Sequence, residues 1–478
     1  MSAPEVLSLA AGRSAAGNVR VPGRARRLRR LSRREFARAL RLGLGRARID
    51  VRRHGLRGRE DLLVAACLRD ATRIREVEGS TARWLVEVAR DGGALGHVSR
   101  AVRRAAARPI LRRRDRGHVA RVLEHLALAK DLAARGALLG MLRRARDEDL
   151  VEIGVPVVRA LGEDGWRKVV AVFVRRRRIA GTGNLPWLAH AARSSLGVRR
   201  ALAVIPIGRA AGRSRFLEAM RAAIREEGRR GSRLREPHAP PAATLEALER
   251  AVSSRRRWWI VLHRWAESAL PEDRDEAWGR VLAEPQPRRL GRRLRAMAYE
   301  HPPRIRPGLF ALARHENARV RWAAVGVLAR IRDPRVRRWA LAALRRDAST
   351  AVRDGVLGLL ELNGRSSDAP VVAAALPPSR SVEADHDWVR GVLDAARPFD
   401  RRRREFTARP GPGWDTLLAR AYDIAPCRDC RGDMVRTLVQ RGSVPEWMIR
   451  EAVWDSQDET RSVARRALRD MRKRRRQR

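Results

Sequence analysis

Lysine is almost missing from this chain: of 105 basic residues, all but Lys130, Lys168 and Lys473 are arginine. With abundant Ala and Gly and few Asn, that skew fits a GC-rich coding sequence, so the choice of Arg over Lys carries little functional information. Cysteine is scarce as well. Cys67, Cys427 and Cys430 are the only three, too few for a disulfide framework, which points to a reducing compartment. Two Tyr and six Phe stand against 13 Trp, a poor supply of the residues that strands favour. No apolar run approaches the length that spans a bilayer. The N-terminal MSAPEVLSLAAG has no basic region ahead of its short apolar stretch, unlike a signal peptide. No Walker loop, G-x-S-x-G, H-E-x-x-H or dinucleotide fingerprint occurs. These absences set the expectation of a cytoplasmic, non-enzymatic protein with no cofactor, no metal and no small-molecule substrate.

What is present is apolar enough, at 44%, to build a core. Ala, Leu and Arg dominate, all good helix formers, so the expected fold class is all-α. The formal charge of +51 over 478 residues is a separate matter. Codon bias explains Arg over Lys but not 105 basic residues against 54 acidic ones. A surplus of that size repels itself unless something anionic lies against it: nucleic acid, anionic lipid or an acidic protein surface.

Along the chain, residues 1–30 read as a disordered basic arm and 31–227 as a helical repeat region. Pro156 and Pro186 mark expected helix starts there, and Gly162 and Gly181 expected stops. Residues 228–243 (GRRGSRLREPHAPPAA) form the clearest linker, and 244–364 a second helical block. A loop-rich connection is expected over 365–413, a helical module with a C-x-x-C over 414–470, and a disordered basic tail over 471–478.

The strongest signal lies in the second block. Asn317, Asp333 and Ser349 recur every 16 residues, and all three are helix N-cap types. Three residues after each stands Val320, Val336 or Val352, followed directly by Arg321, Arg337 or Arg353. Leu328, Leu344 and Leu360 close the units at the same interval. Each unit predicts a cap, a helix of about 12 residues and a turn. Two units give a helix pair of solenoid-repeat size, whose apolar stripe only a stacked neighbour can cover. Gln457, Thr460, Arg461, Ala464 and Leu468 repeat the phrase less cleanly.

The phrase N/D-x-x-V-R-x-x-A, with Leu eight residues after the Val, resembles the HEAT and phycobilisome-lyase-like repeat over about 301–364. Residues 62–88 and 426–461 are similar to uncharacterised bacterial HEAT-repeat proteins, a likeness that brings no activity with it. The resemblance implies an α-solenoid of stacked antiparallel helix pairs. It also implies that Arg321, Arg337 and Arg353 pair inside the stack with an acidic or capping residue of the neighbouring unit, rather than tracking phosphates.

Candidate contacts with an anionic partner are therefore sought outside the phrase. They are Arg175, Arg176, Arg177 and Arg178; Arg255, Arg256 and Arg257 beside Trp258 and Trp259, which could stack bases; Arg401, Arg402, Arg403 and Arg404; and Arg472, Lys473, Arg474, Arg475 and Arg476. Each cluster can equally be solvated surface, and the tryptophan pair can equally be packing. Trp322 and Trp339 read as core or groove wall. Cys427 and Cys430 follow Pro426 at an expected helix start, where the dipole favours a thiolate. Three readings stay open: buried packing, redox chemistry, or metal, for which two more ligands are needed and His386 is the nearest histidine in sequence. Asp385-His386-Asp387 reads as an acid-rich helix start. The expected function is a scaffold that binds nucleic acid or nucleoprotein with little sequence preference. The alternatives are a protein-interaction scaffold and a HEAT-like DNA glycosylase, for which no catalytic residue can be placed.

Overall fold

The computed structural model describes residues 29–69, 80–108, 111–175, 185–205, 215–226, 270–298, 303–375, 382–396, 399–400, 405–406 and 411–477. The N-terminal arm, apart from Arg29 and Arg30, and the whole 228–243 linker lie outside these residues.

The first half of the chain forms α1 (Arg33–Leu42), α2 (Gly45–His54), α3 (Glu60–Leu68), α4 (Ser80–Asp91), α5 (Leu95–Ala107), α6 (Arg113–Leu128), α7 (Leu132–Arg144), α8 (Leu150–Arg175), α9 (Leu185–Leu196), α10 (Val198–Ala203) and α11 (Arg215–Glu226). The second half forms α12 (Pro271–Leu282), α13 (Pro287–Met297), α14 (Leu309–Leu312), α15 (Ala318–Leu328), α16 (Pro334–Arg346), α17 (Ala348–Arg353), α18 (Leu359–Asn363), α19 (Ala369–Ala374), α20 (Val382–Ala396), α21 (Pro412–Ile424), α22 (Arg428–Gln440), α23 (Glu446–Ala452) and α24 (Asp458–Gln477). A two-residue antiparallel pair, Phe399–Asp400 with Glu405–Phe406, is the only sheet among the described residues.

The fold is an all-α solenoid. Its signature is that a helix packs on the one two places further along. α1, α3, α5 and α7 succeed each other in one layer, and α2, α4, α6 and α8 in the other. Each helix thereby hides its apolar stripe in a shared seam. The phrase residues occupy that seam: Val320, Val336, Leu328 and Leu360 are fully buried, with Val352 and Leu344 nearly so. Asn317 and Asp333 cap α15 and α16, accepting from the backbone N–H of Arg319 and Arg335. Ser349 does not cap. It lies inside α17, and Asp347, two residues earlier, accepts from Thr350 N–H instead.

Several local expectations need correction. Pro156 does not start a helix but lies within α8, whereas Gly162 is a stop as expected: its non-helical backbone, with φ 58°, breaks α8 into two helical segments. The connection expected to be loop-rich holds the 15-residue helix α20. Residues 471–477, expected as a disordered tail, are the last turns of α24. There the arginines face the negative end of the helix dipole, which favours helix continuation.

Across the layers run pairs of an arginine with a buried carboxylate. Arg321 Nε donates to Asp354 at 2.6 Å and Arg337 Nε to Asp368 at 2.9 Å. Arg116 pairs with Asp149, and Arg431 grips Asp455 through two bonds of 2.8 and 3.1 Å. In the first three pairs the partner lies 31 to 33 residues further on, one helix pair along. Several of these arginines also bind the loop that enters their own helix: Arg321 donates to His315 O at 3.0 Å and Arg431 to Ala425 O at 3.0 Å. A single guanidinium so fixes the entry of its own unit and the register of the next. Indole N–H groups do similar work, with Trp166 donating to Ala201 O, Trp278 to Pro307 O and Trp414 to Arg365 O.

The same bonding joins the two ends of the chain. Ser456 N–H donates to Gly43 O at 3.1 Å, and Trp84 Nε1 to Trp454 O at 2.8 Å. Arg46 bridges Asp423 at 2.6 Å and Glu451 at 2.9 Å. The guanidiniums of Arg48 and Arg52 lie over the Trp454 ring at 5.1 and 4.5 Å, and α2 packs on α23. The stack is thus permuted relative to the sequence: its layers run from α12 to α24 and continue from α1 to α11. Gly45 makes this possible, because a β-carbon there would stand 2.0 Å from Glu451 O.

Two outcomes follow. Asp455→Ala leaves Arg431, wholly buried, without its counter-charge. Denaturant unfolding is expected to show a loss of about 3–5 kcal/mol, whereas a loss below 1 kcal/mol would deny the pair this role. Gly45→Val is expected to detach the C-terminal layers from the N-terminal ones, raising the radius of gyration in small-angle scattering while helical circular dichroism is retained.

Candidate functional site

Three features of the surface have chemistry beyond packing. The first is the outer face of α24. The helix is held down by the buried Thr460, Ala464 and Ala467, which leaves Arg465, Arg466, Arg469, Arg472, Lys473, Arg474 and Arg476 exposed. Arg465, Arg469, Arg472 and Arg476 follow one another at helical spacing and form a row about 17 Å long. No acidic side chain occurs among residues 471–477. Of the basic residues expected at this end, Arg475 is engaged, pairing with Glu446 at 2.6 Å. That guanidinium holds the Glu446 carboxyl below its usual range.

The second feature is an open groove between α8 and α10. Arg167, Arg175 and Arg200 stand around an apolar floor of Val170, Val174 and Val204, with Arg167 also paired to Glu163. Arg175 is the described member of its cluster. Arg176, Arg177 and Arg178 lie outside the described residues, as do Arg255, Arg256, Arg257, Trp258, Trp259, Arg401, Arg402, Arg403 and Arg404. Trp322, expected in the core or a groove wall, is 52% exposed with the Arg295 guanidinium 5.7 Å above it. Trp339 packs on Phe310.

The third feature joins residues that the sequence keeps 44 apart. Cys427 caps α22, Cys430 sits in its first turn, and His386 comes from α20. Their three ligand-capable atoms all lie within 4.8 Å of one another, with His386 Nε2 at 3.9 Å from Cys430 Sγ. The other ring nitrogen, Nδ1, faces Asp387 Oδ1 at 3.9 Å. Asp385-His386-Asp387 therefore lies near the start of a helix, running from its first turn into its second, and aims its imidazole at two thiols. The hydrogen bond from the Cys430 thiol lowers the Cys427 pKa to about 4 against the opposing effect of burial, and His386 adds to the lowering. Correspondingly the Cys430 thiol is pushed far up, and His386 is raised by its bond to Cys427. Cys67, sealed in the core, is raised to about 12 by burial alone.

Two copies of the repeat phrase were missed in the sequence, and the arginine pairs locate them. Cys427-x-x-Cys430-Arg431, with Leu438 eight residues after Cys430, follows the spacing of Asn317-x-x-Val320-Arg321 with Leu328. Arg112-x-x-Asp115-Arg116 with Leu123 does the same. In neither is the cap an N-capping residue type, which removed the signal used to find the others. The Arg at the fifth position, with Leu eight after the fourth, would have found both.

Residues 280–376 match the family model for HEAT repeats. The match spans α13 to α19 and includes Arg321–Asp354 and Arg337–Asp368. No curated protein matches the chain, and no solved structure does.

The thiol arrangement makes a kinetic prediction for chelator-treated, reduced protein. A thiol with its pKa near 4 is already thiolate throughout pH 6–8, so alkylation of Cys427 by iodoacetamide is expected to be nearly flat across that range. An ordinary thiol gains about tenfold per pH unit there. Site-resolved mass spectrometry reads the difference. Equal, steeply rising rates at Cys427 and Cys430 would contradict the arrangement.

Proposed function

We propose that this protein is a non-enzymatic interaction scaffold that holds a partner protein of acidic surface along its solenoid. The observation that carries this is the combination of a HEAT-repeat stack with a charge that internal pairing cannot remove. Repeat stacks present long continuous surfaces on a rigid frame. Here the carboxylates, 54 in number, are outnumbered so far that a net charge of +51 stays even if each is matched by one arginine. Such a surface attracts acidic partners at long range and speeds their encounter. The groove at Arg167, Arg175 and Arg200 combines charge with the part-exposed Val174 and Val204, the mixture that protein interfaces use.

A second reading, a polynucleotide partner, draws on the α24 row. Four guanidiniums on one helix face, with no acidic side chain among residues 471–477, suit sequence-independent phosphate binding. Nothing on that face resembles a base-reading device, since α24 carries no aromatic residue.

Co-purification of the full chain with and without nuclease separates the readings. A scaffold for protein is expected to retain one stoichiometric protein after nuclease treatment, released by salt. Loss of all bound material on nuclease treatment, with affinity for a random duplex falling steeply in salt, would replace it with the second reading. Absence of any bound macromolecule at low salt would overturn both.

A further inference from the structure

We infer that Cys427, Cys430 and His386 form a binding site for a thiophilic divalent metal ion, Zn(II) being the natural occupant. In the regular units Asn317 and Asp333 supply a cap oxygen that accepts a backbone N–H. At the fourth position Val320 and Val336 supply a buried aliphatic. In the unit headed by Cys427 both positions are cysteine, yet Cys427 makes no side-chain capping bond. The unit stacks normally all the same: Leu438 is buried, and Arg431 makes the inter-layer pair with Asp455. Both cysteines fill buried space, but neither supplies the cap hydrogen bond or the inter-layer pair of its unit.

A third donor arrives from another helix. His386 points Nε2 at the sulfurs, and the three ligand atoms fall within 4.8 Å of one another. Tetrahedral Zn(II), with bonds of about 2.3 Å to sulfur and about 2.0 Å to nitrogen, places such atoms about 3.5–3.8 Å apart. The 3.9 Å between Cys430 Sγ and His386 Nε2 closes to that range by a small side-chain rotation. Behind the ring, Asp387 faces Nδ1, the position from which a carboxylate orients a metal-bound imidazole. The sulfurs are nearly buried while His386 is partly open, so three protein ligands are set inward and the fourth position faces water. Two thiolates also neutralise the ion, so binding adds no charge to a chain that already carries +51. On binding, Cys427 enters as the thiolate, Cys430 gives its proton to solvent and the imidazole binds as the neutral base. The ion would pin α20 to α22, two helices that already pack together.

A disulfide between Cys427 and Cys430 is the competing fate of the pair, but it would leave the convergent imidazole without a purpose. The test uses the untagged full chain, purified from zinc-supplemented culture under reducing conditions. Elemental analysis is expected to find about one zinc ion per chain, released when the thiols are titrated with a mercurial. His386→Ala and Cys430→Ser are each expected to lower the zinc content severalfold, while Cys67→Ser keeps it. If either site variant fails to fold, by circular dichroism, the wild-type chain decides alone. Stripped of metal and given Co(II), it should develop the sulfur-to-cobalt charge-transfer band and the intense visible bands of tetrahedral coordination. Failure of reduced wild-type chain to take up Zn(II) or Co(II) would overturn the inference. So would recovery of metal-free protein with Cys427 and Cys430 oxidised to each other and thermal stability unmoved by added zinc.

Discussion

The architecture depends on one interaction: an arginine that binds its own helix entry and a buried carboxylate of the next layer. Amphipathic helices alone would slide, since an apolar seam is non-directional. A two-bond guanidinium–carboxylate contact has a fixed plane and length and so sets register. Breaking it strands a charge away from water, which makes the wrong register expensive rather than the right one very stable. Arg431 and Asp455 show this in its strongest form, both fully buried. Arg321 and Arg337 lie nearer the edge of the stack. The excess of arginine therefore has two uses: some guanidiniums hold layers together, and others face outward, as on α24.

The same contact explains how the ends of the chain meet. Arg431 reaches Asp455 and also Gly43 O, so the C-terminal layers already present groups to the N-terminal ones. Trp454 then lies under Arg48 and Arg52, and Gly45 lets the backbones touch. An array usually needs polar caps at its two ends. Here α1 and α2 stand beside the C-terminal helices, and among the described residues the stack runs from α12 through this junction to α11.

Much of the local architecture was legible in the sequence because the repeat phrase encodes a physical cycle: cap, first buried aliphatic, ladder arginine, closing leucine. Asn317 to Leu328 and Asp333 to Leu344 follow it fully. Ser349 misled by being a good cap type two residues from the true cap, Asp347. The units headed by Arg112 and Cys427 escaped because their caps break the rule while their arginines keep it. The junction of Gly43 with Ser456 had no local signal at all, since it joins segments some 400 residues apart. The cluster of His386 with Cys427 and Cys430 was legible only in part. The two thiols were visible as a motif, but the imidazole comes from a helix hidden in a stretch rich in Pro and Ser.

One continuous stack, locked layer to layer by arginines on buried carboxylates and running through the junction of α2 with α23, is the central claim. Native-state hydrogen exchange tests it most directly. If α1, α2 and α4 share layers with α22, α23 and α24, their most protected amides should open in one common event, with the same free energy and the same denaturant dependence. Independent opening of the C-terminal helices, with lower free energy and no response of α2, would contradict a continuous stack.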